Sequence, residues 1–352
     1  MEDRNRPFPP VDPFRQELCP VAMISNIDVP VSSPSDITKA RQASVKVATF
    51  YSLDETAKGR IAFVVTELGE NLLRHAGGGR LIIGCHAIRE GCQLEVLSID
   101  HGPGMSDLKP SARGSSLERR DASGGLSAVQ NLSTDFGLFS VAGRGSIVLS
   151  RLWVPSMDAS ALSPSSRFAH SAVSLLTPGG DGSGDIWHIR LDAHKATVLL
   201  ADGVGEGTAA ADDLIGEFGR SLGEPGLTFE RLWQDLPEAS GAGLVVAALD
   251  SAEGTIDFRS GGTARGQLVS QKLLMELRPG AVPSIDDASN EGRISWPAQS
   301  VVVLHTDGLD MEWNLKGADG LLQCDPAIIA GWLIRDFASG KDDATVVVLK
   351  RS

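Results

Sequence analysis

No stretch of this 352-residue chain approaches the roughly 20 consecutive apolar residues of a membrane span, although 42% of its residues are hydrophobic. Its first residues, MEDRNRPFPPVDPF, lack the apolar core of a secretory signal and read as a Pro-rich extension over 1–20. Cysteine is scarce: Cys19, Cys85, Cys92 and Cys324 are scattered without a CxxC, and no Cys/His spacing suggests zinc. Cys85 and Cys92 fall in strand-like segments, where free thiols are commonly buried, so a reducing, cytoplasmic setting is expected. Positive charge is short as well. Lys and Arg number 32 against 45 Asp and Glu, a net charge of −13 that argues against a general nucleic-acid surface. Neither nucleic acid nor membrane is expected as a partner, and no internal repeat is present.

The length suits two domains, each able to bury its own core. In the first half, strand-like VAMISNIDVPV leads into a helix over about 35–51, then a helix running into GGG at 77–79 and apolar strands over 80–88 and 92–99. A short lid, a helix over about 125–135 and two closing strands follow. The stretch PSMDASALSPSS is small and polar and reads as a linker over 156–167. Beyond it come strands near Val173, Ile186 and Val198, a helix over about 208–222, and strands at 243–249, 255–260 and 267–270. Residues 282–293 read as a flexible loop, and a last helix over 326–337 precedes the final strand.

Acidic residues recur where strands end. SGDIWHI supplies Asp185, VLLADGVGEG supplies Asp202 and Gly203, VVVLHTDGL delivers Asp307 into a Gly turn, and KDDATVVVLK puts Asp342 and Asp343 at the mouth of the last strand. One Asp-Gly alone is only a turn signal. Carboxylates gathered from several strand ends are what a binuclear site for hard divalent cations requires, and Mg²⁺ and Mn²⁺ both prefer oxygen ligands.

The first half carries a different set. TELGENLLRHAGGG spaces Glu67 and Asn71 four residues apart, on one helix face. Taken alone, that pair is simply a solvated face. An Asn there can hold Mg²⁺ through its carbonyl oxygen, and a nearby carboxylate can orient or deprotonate an attacking hydroxyl. DHGPGM then offers Asp100, Gly102 and Gly104, an acceptor carboxylate before a flexible turn, suited to an adenine amino group beside phosphates. In DASGGLSAVQNL, Gly124 and Gly125 open a helix whose free N–H groups and dipole favour phosphate.

In order, these segments resemble the N, G1 and G2 boxes of the GHKL ATP-binding family, in its branch of RsbT/RsbW-type anti-sigma-factor kinases. DITKARQASVKVA resembles the first helix of the RsbT type. The series GD, DGxGxG, DG, DDxT resembles the SpoIIE/RsbX-type, PPM-class metal-dependent serine/threonine phosphatases. The resemblance implies an α/β (α+β) chain: a GHKL (Bergerat) α/β sandwich over 21–155, then a PPM-type α/β/β/α sandwich over 168–352. It implies ATP, Mg²⁺ and Mn²⁺ as cofactors. Glu67 would be the catalytic base and Asn71 the Mg²⁺ ligand, with Asp100 contacting adenine and Gly102, Gly104, Gly124 and Gly125 shaping the pocket. In the other half Asp202 would lie between two metals. Asp185, Asp307, Asp342 and the Gly203 carbonyl would complete the set or hold waters, with Asp343 just outside it. Two departures stand out: SGGL (Ser123 to Leu126) replaces GLGL, and Glu206 replaces the His of DGxGHG.

The family's systems switch a small STAS-domain antagonist between partners by one Ser or Thr phosphate, in sigma-factor regulation of stress responses. The expectation is a bifunctional partner-switching regulator that phosphorylates and dephosphorylates such an antagonist, with a further regulatory protein and a homodimer as additional partners. The alternative is an ATP-binding, anti-sigma-like sequestering module with an attached or degenerate phosphatase domain.

Overall fold

The computed structural model describes residues 20–23, 26–88, 91–105, 108–110, 117–119, 124–155, 167–177, 184–204, 209–220, 225–235, 242–271, 274–277 and 289–351. The Pro-rich start, most of the linker and lid, Ser123 and Glu206 lie outside them. The first half runs β1 (Pro20–Met23), β2 (Ile27–Val31), α1 (Pro34–Phe50), α2 (Glu55–Asn71), β3 (Gly79–Ile88), β4 (Gly91–Ile99), β5 (Leu108–Pro110), β6 (Leu117–Arg119), α3 (Gly125–Leu132), β7 (Asp135–Val141) and β8 (Gly145–Pro155). The second continues with β9 (Phe168–Leu175), β10 (Ile186–Leu191), β11 (Lys195–Asp202), α4 (Ala209–Arg220), α5 (Pro225–Asp235), β12 (Gly243–Asp250), β13 (Thr255–Gly262), β14 (Arg265–Val269), β15 (Leu274–Glu276), β16 (Ser289–Ser295), β17 (Val301–His305), α6 (Pro326–Phe337) and β18 (Ala344–Arg351).

Local chemistry sets the helix starts. Pro34 opens α1, where its missing N–H costs nothing, and Asp36 accepts from the Ser32 backbone and the Ser33 hydroxyl. Asp54 caps α2 by accepting from Ala57 N at 2.7 Å. After Asn71 the helix widens into one π-helical turn over Leu72–Ala76 and stops at Gly77, whose φ is 74°. A π turn commonly marks a functional position.

Among the described residues all paired strands are antiparallel. The second half stacks two five-stranded layers, β16-β13-β12-β11-β10 and β15-β14-β17-β18-β9. Trp187, Val198, Val245, Phe258, Val302 and Val347 fill the space between them. Helices α4 and α5 cover the outer face of the first layer through Leu214, Phe218, Phe229 and Leu232. In the first half, β2, β3, β4, β8 and β7 form a sheet with α1 and α2 on one face, around Ile61, Val65, Leu68, Leu81, Leu94 and Val96. β1 pairs with β10 on one side and β3 on the other, joining that sheet edge to edge with the β10 layer.

The opposite face of the first-half sheet lies against α6. Residues Pro326–Ile334 are all buried, and a helix apolar all round belongs inside a protein. One side of α6 packs on β9 and β18, the other on β4, β7 and β8. Ile82, Leu97, Ile99, Phe139, Ile147 and Leu149 therefore share a core with Ile328, Trp332, Val346 and Val348. The contact is tight: a Cβ on Gly331 would sit 2.6 Å from Leu97 Cδ2. A buried ion triad crosses the same interface. Arg151 donates through Nε to Glu95 at 2.7 Å and bidentately to Asp325 at 2.6 and 2.8 Å, while Asp325 also caps α6. Removing one member leaves a buried charge without its partner, so Arg151→Ala is expected to lower stability by about 3–5 kcal/mol. Denaturant unfolding followed on both halves should show it; a change near zero would mean that the triad contributes nothing.

Several expectations shift. VAMISNIDVPV divides into β1 and β2; the helix at α5 was not anticipated; and the end of the 282–293 loop is strand β16. Cys85 and Cys92 are joined in a disulfide with Cα atoms 6.5 Å apart, where two free thiols were expected. The β3–β4 register pairs Cys85 with Leu94 and Ala87 with Cys92, so the two cysteines sit diagonally within bridging reach. That removes these thiols as an argument for a reducing compartment. Cys324 remains a buried free thiol, its pKa pushed up to about 12 by burial. No helix among the described residues is long and apolar enough to cross a membrane.

Candidate functional site

Two clusters of the singled-out residues form, one in each half. In the first, α2 presents Glu67 and Asn71 one turn apart, both partly buried, where the helix enters its π turn. Glu67 faces the start of α3: a Cβ on Gly125 would collide with Glu67 Oε2, so only glycine lets the carboxylate approach that N-terminus. Gly124, at the N-cap, has φ 122°.

Asp100 ends β4 at the base of the same region. Its Oδ1 accepts from Gly102 N at 2.7 Å and Ser146 N at 3.2 Å. This turn leaves Oδ2 outside both bonds. Burial pushes the carboxyl up, and the two backbone bonds and the Arg335 guanidinium pull against it. Gly104, with φ 68°, crosses under the carbonyl of Val141 at the end of β7, an approach that no side chain permits. Glu67, Asn71, Asp100, Gly102, Gly104, Gly124 and Gly125 thus come from the α2 end, the turn after β4 and the α3 start, around one side of the sheet.

The second cluster gathers strand ends of both layers of the second half. The β10–β11 ladder pairs Ile186 with Ala201, so one further step sets Asp185 opposite Asp202. Asp202 is the hub. It lies close enough to Asp185 and Asp307 for each carboxylate to shift the protonation of the others. Asp342 stands close enough to repel Asp202 and Asp307. Burial, and then the neighbouring carboxylate of Asp202, raise the pKa of Asp185; burial also raises those of Asp202 and Asp307. Gly203, at φ 76°, turns the chain away beside Asp202.

Hydroxyl groups fix these carboxylates. Thr263 Oγ1 donates to Asp202 Oδ2 at 2.6 Å, and Thr306 Oγ1 donates to Asp185 Oδ2 at 2.9 Å. Asp343 is occupied differently: Oδ1 accepts from Thr177 N and Oγ1 at 2.5 and 2.7 Å, and Oδ2 from Gly184 N at 2.8 Å. It ties the segment before Asp185 to the start of β18. The sequence reading missed Thr177, Thr263 and Thr306. Only Thr306, directly before Asp307, carried a signal that position alone could have raised.

Among the described residues no three His, Cys, Asp or Glu side chains stand at metal-holding spacing; Asp202 and Asp185 are instead held by Thr263 and Thr306. The donor chemistry nevertheless fits hard cations. Crowded, buried carboxylates raise one another's pKa, and a divalent cation supplies the charge that would let them ionise together.

No family model matches the chain. Over 119 residues, 34% of this chain and 90% of the relative, it is 30% identical to the serine/threonine-protein kinase RsbT of Bacillus subtilis (strain 168), in the N-terminal part. Among solved structures it is similar to RsbX in complex with magnesium, at 20% identity and a TM-score of 0.42 over 53% of this chain and 96% of that one. It is also similar to the PP2C phosphatase domain and regulatory-domain fragment of the cell fate determinant SpoIIE from Bacillus subtilis, at 14% identity and a TM-score of 0.40 over 90% of this chain and 96% of that one.

Proposed function

The N-terminal part of this chain belongs to the family of the serine/threonine-protein kinase RsbT, and from that premise we propose a bifunctional partner-switching regulator. A GHKL-type unit over 21–155 transfers the γ-phosphoryl of ATP to a Ser or Thr of a STAS-type antagonist. A PPM-type unit over 168–352 removes it. The observation that carries this reading is the presence, in one chain, of two separate acidic sites of opposite design. Glu67 faces a glycine-opened helix start, and Asp202 shares a crowded carboxylate cluster with Asp185 and Asp307.

In the kinase direction, Asp100 Oδ2 accepts from the adenine amino group, and Gly102 and Gly104 let the backbone close on the nucleotide. The α3 start, at Gly124 and Gly125, meets the phosphates with free N–H groups. Asn71 would offer its carbonyl oxygen to Mg²⁺. Glu67 takes the proton of the acceptor hydroxyl as that oxygen bonds to the γ-phosphorus and ADP leaves. In the phosphatase direction, the phosphoryl group passes to water and the Ser or Thr hydroxyl is restored. Asp185, Asp202, Asp307, Asp342 and the Gly203 carbonyl would hold two cations, Mg²⁺ or Mn²⁺. Bound there, such cations would supply Lewis acidity and a lowered pKa for water. Thr263 and Thr306 aim Asp202 and Asp185, and Asp343 fixes the approach to Asp185.

The test incubates the full chain with candidate STAS proteins, ATP and Mg²⁺ or Mn²⁺, and follows protein-bound phosphate in both directions. Phosphate gained with ATP and lost with metal alone supports the reading. ATP binding without transfer would instead favour the sequestering module. At the nucleotide site, Asp100→Asn exchanges an ionised acceptor for an amide. A hydrogen bond to a charged group contributes about 1.5–3 kcal/mol, so ATP affinity should fall roughly 10- to 100-fold. Titration with a fluorescent ATP analogue measures this, and parent-like affinity would remove Asp100 from the site.

A further inference from the structure

We propose that Arg335 of α6 is a positioning residue for the Asp100 turn, so that a side chain from the C-terminal half completes the nucleotide site of the N-terminal half. The inference deepens the reading of Asp100 given above and rests on it.

Arg335 is held on three sides. Its side chain is 1% exposed, its guanidinium lies 3.7 Å over the Trp332 ring, and Nε donates to Asp336 at 2.7 Å. From that fixed position Nη1 donates to the backbone oxygen of Asp100 at 3.2 Å. The bond falls on the peptide that leads into His101 and Gly102, and the Gly102 N–H is what holds Asp100 Oδ1. Fixing the carbonyl therefore fixes which carboxylate oxygen stays available. Among the described residues Nη2 is buried without a hydrogen-bond partner.

The neighbouring contacts point the same way. Asp336 also receives Arg144 at 2.7 Å, from the hairpin that carries Gly145 and Ser146 to Asp100. Two adjacent residues of α6 thus bind the Asp100 turn and the β7–β8 hairpin beside it. Beyond Arg335 the helix end is bonded to the segment after Asp307: Asp310 N donates to Phe337 O and Ser339 N to Gly308 O, each at 2.8 Å. Residues 335–339 consequently touch the Asp100 turn on one side and the carboxylate loop of the phosphatase-like half on the other.

The experiment compares Arg335→Gln and Arg335→Lys with the parent, all as full-length chains. Three quantities are read: affinity for ATP with Mg²⁺, thermal midpoint, and Mn²⁺-dependent hydrolysis of p-nitrophenyl phosphate. Arg335→Gln should weaken ATP binding about tenfold and leave hydrolysis unchanged, and Arg335→Lys, which keeps a charged donor, should recover part of the loss. Unchanged ATP affinity in Arg335→Gln, with a parent that binds, overturns this inference alone. A parent that binds no ATP overturns the reading of Asp100 with it. Parallel losses of affinity, thermal midpoint and hydrolysis without recovery in Arg335→Lys would show a merely structural arginine. If Arg335→Gln does not fold, Arg335→Lys decides: its single ammonium cannot hold Asp336 and Asp100 as the guanidinium does, so parent-like affinity overturns the proposal and a selective loss supports it.

Discussion

Asp202→Ala is expected to abolish phosphate release from a phosphorylated antagonist, by more than about 100-fold, while ATP binding by the first half stays at the parent level. Loss of partners that only orient a metal ligand already costs about 10- to 100-fold, and Asp202 is the carboxylate that lies close to both Asp185 and Asp307. Loss of fold is not the expected cause. Burial, first, and the carboxylate of Asp342 hold the carboxyl pKa of Asp202 above its ordinary value. A carboxyl whose folded pKa is raised contributes stability at low pH and loses it as pH rises through that value. At neutral pH the metal-free variant should therefore be no less stable than the parent. Phosphate release with Mn²⁺, alongside a thermal melt in chelator, measures both. Parent-like release would mean that the carboxylate cluster is not the hydrolytic centre.

Glu67→Ala should separate nucleotide binding from transfer. General-base removal costs about 10²–10⁴ in rate, whereas the proposed adenine contact through Asp100 is untouched. Glu67 lies against Gly125, so its removal opens space at the α3 start without burying anything new. ATP affinity near that of the parent, with transfer to the antagonist reduced at least a hundredfold, is the expected result. Undiminished transfer would reduce Glu67 to a side chain on a helix face. If ATP affinity falls together with transfer, Glu67 is holding the α3 start in place.

Much of the architecture was legible because its cues are local. Pro326 with a capping Asp325 and an apolar run set α6 at its observed ends, and the Asp-Gly steps placed Asp202 and Asp307 at strand ends. Misses arose where distant parts meet. Nothing around VAMIS says that β1 bridges β10 and β3. The Cys85–Cys92 bond depends on the β3–β4 register, which single strands do not disclose. Thr263 reaches Asp202 across 61 residues, and Arg335 reaches Asp100 across 235. A helix buried within one half and a helix walled in by both halves leave the same apolar pattern in a sequence, so the place of α6 could not be read there.

That wall governs how the chain can be divided. Were the first half cut away between β8 and β9, the side of α6 facing Leu97, Phe139 and Leu149 would meet water, together with the carboxylate of Asp325 that Arg151 had held. A contiguous apolar patch of this kind drives self-association. The two halves therefore share one copy number and one lifetime: a proteolytic nick that releases either leaves the other marked for aggregation or degradation. Because both sites sit on one chain, their ratio is fixed at synthesis.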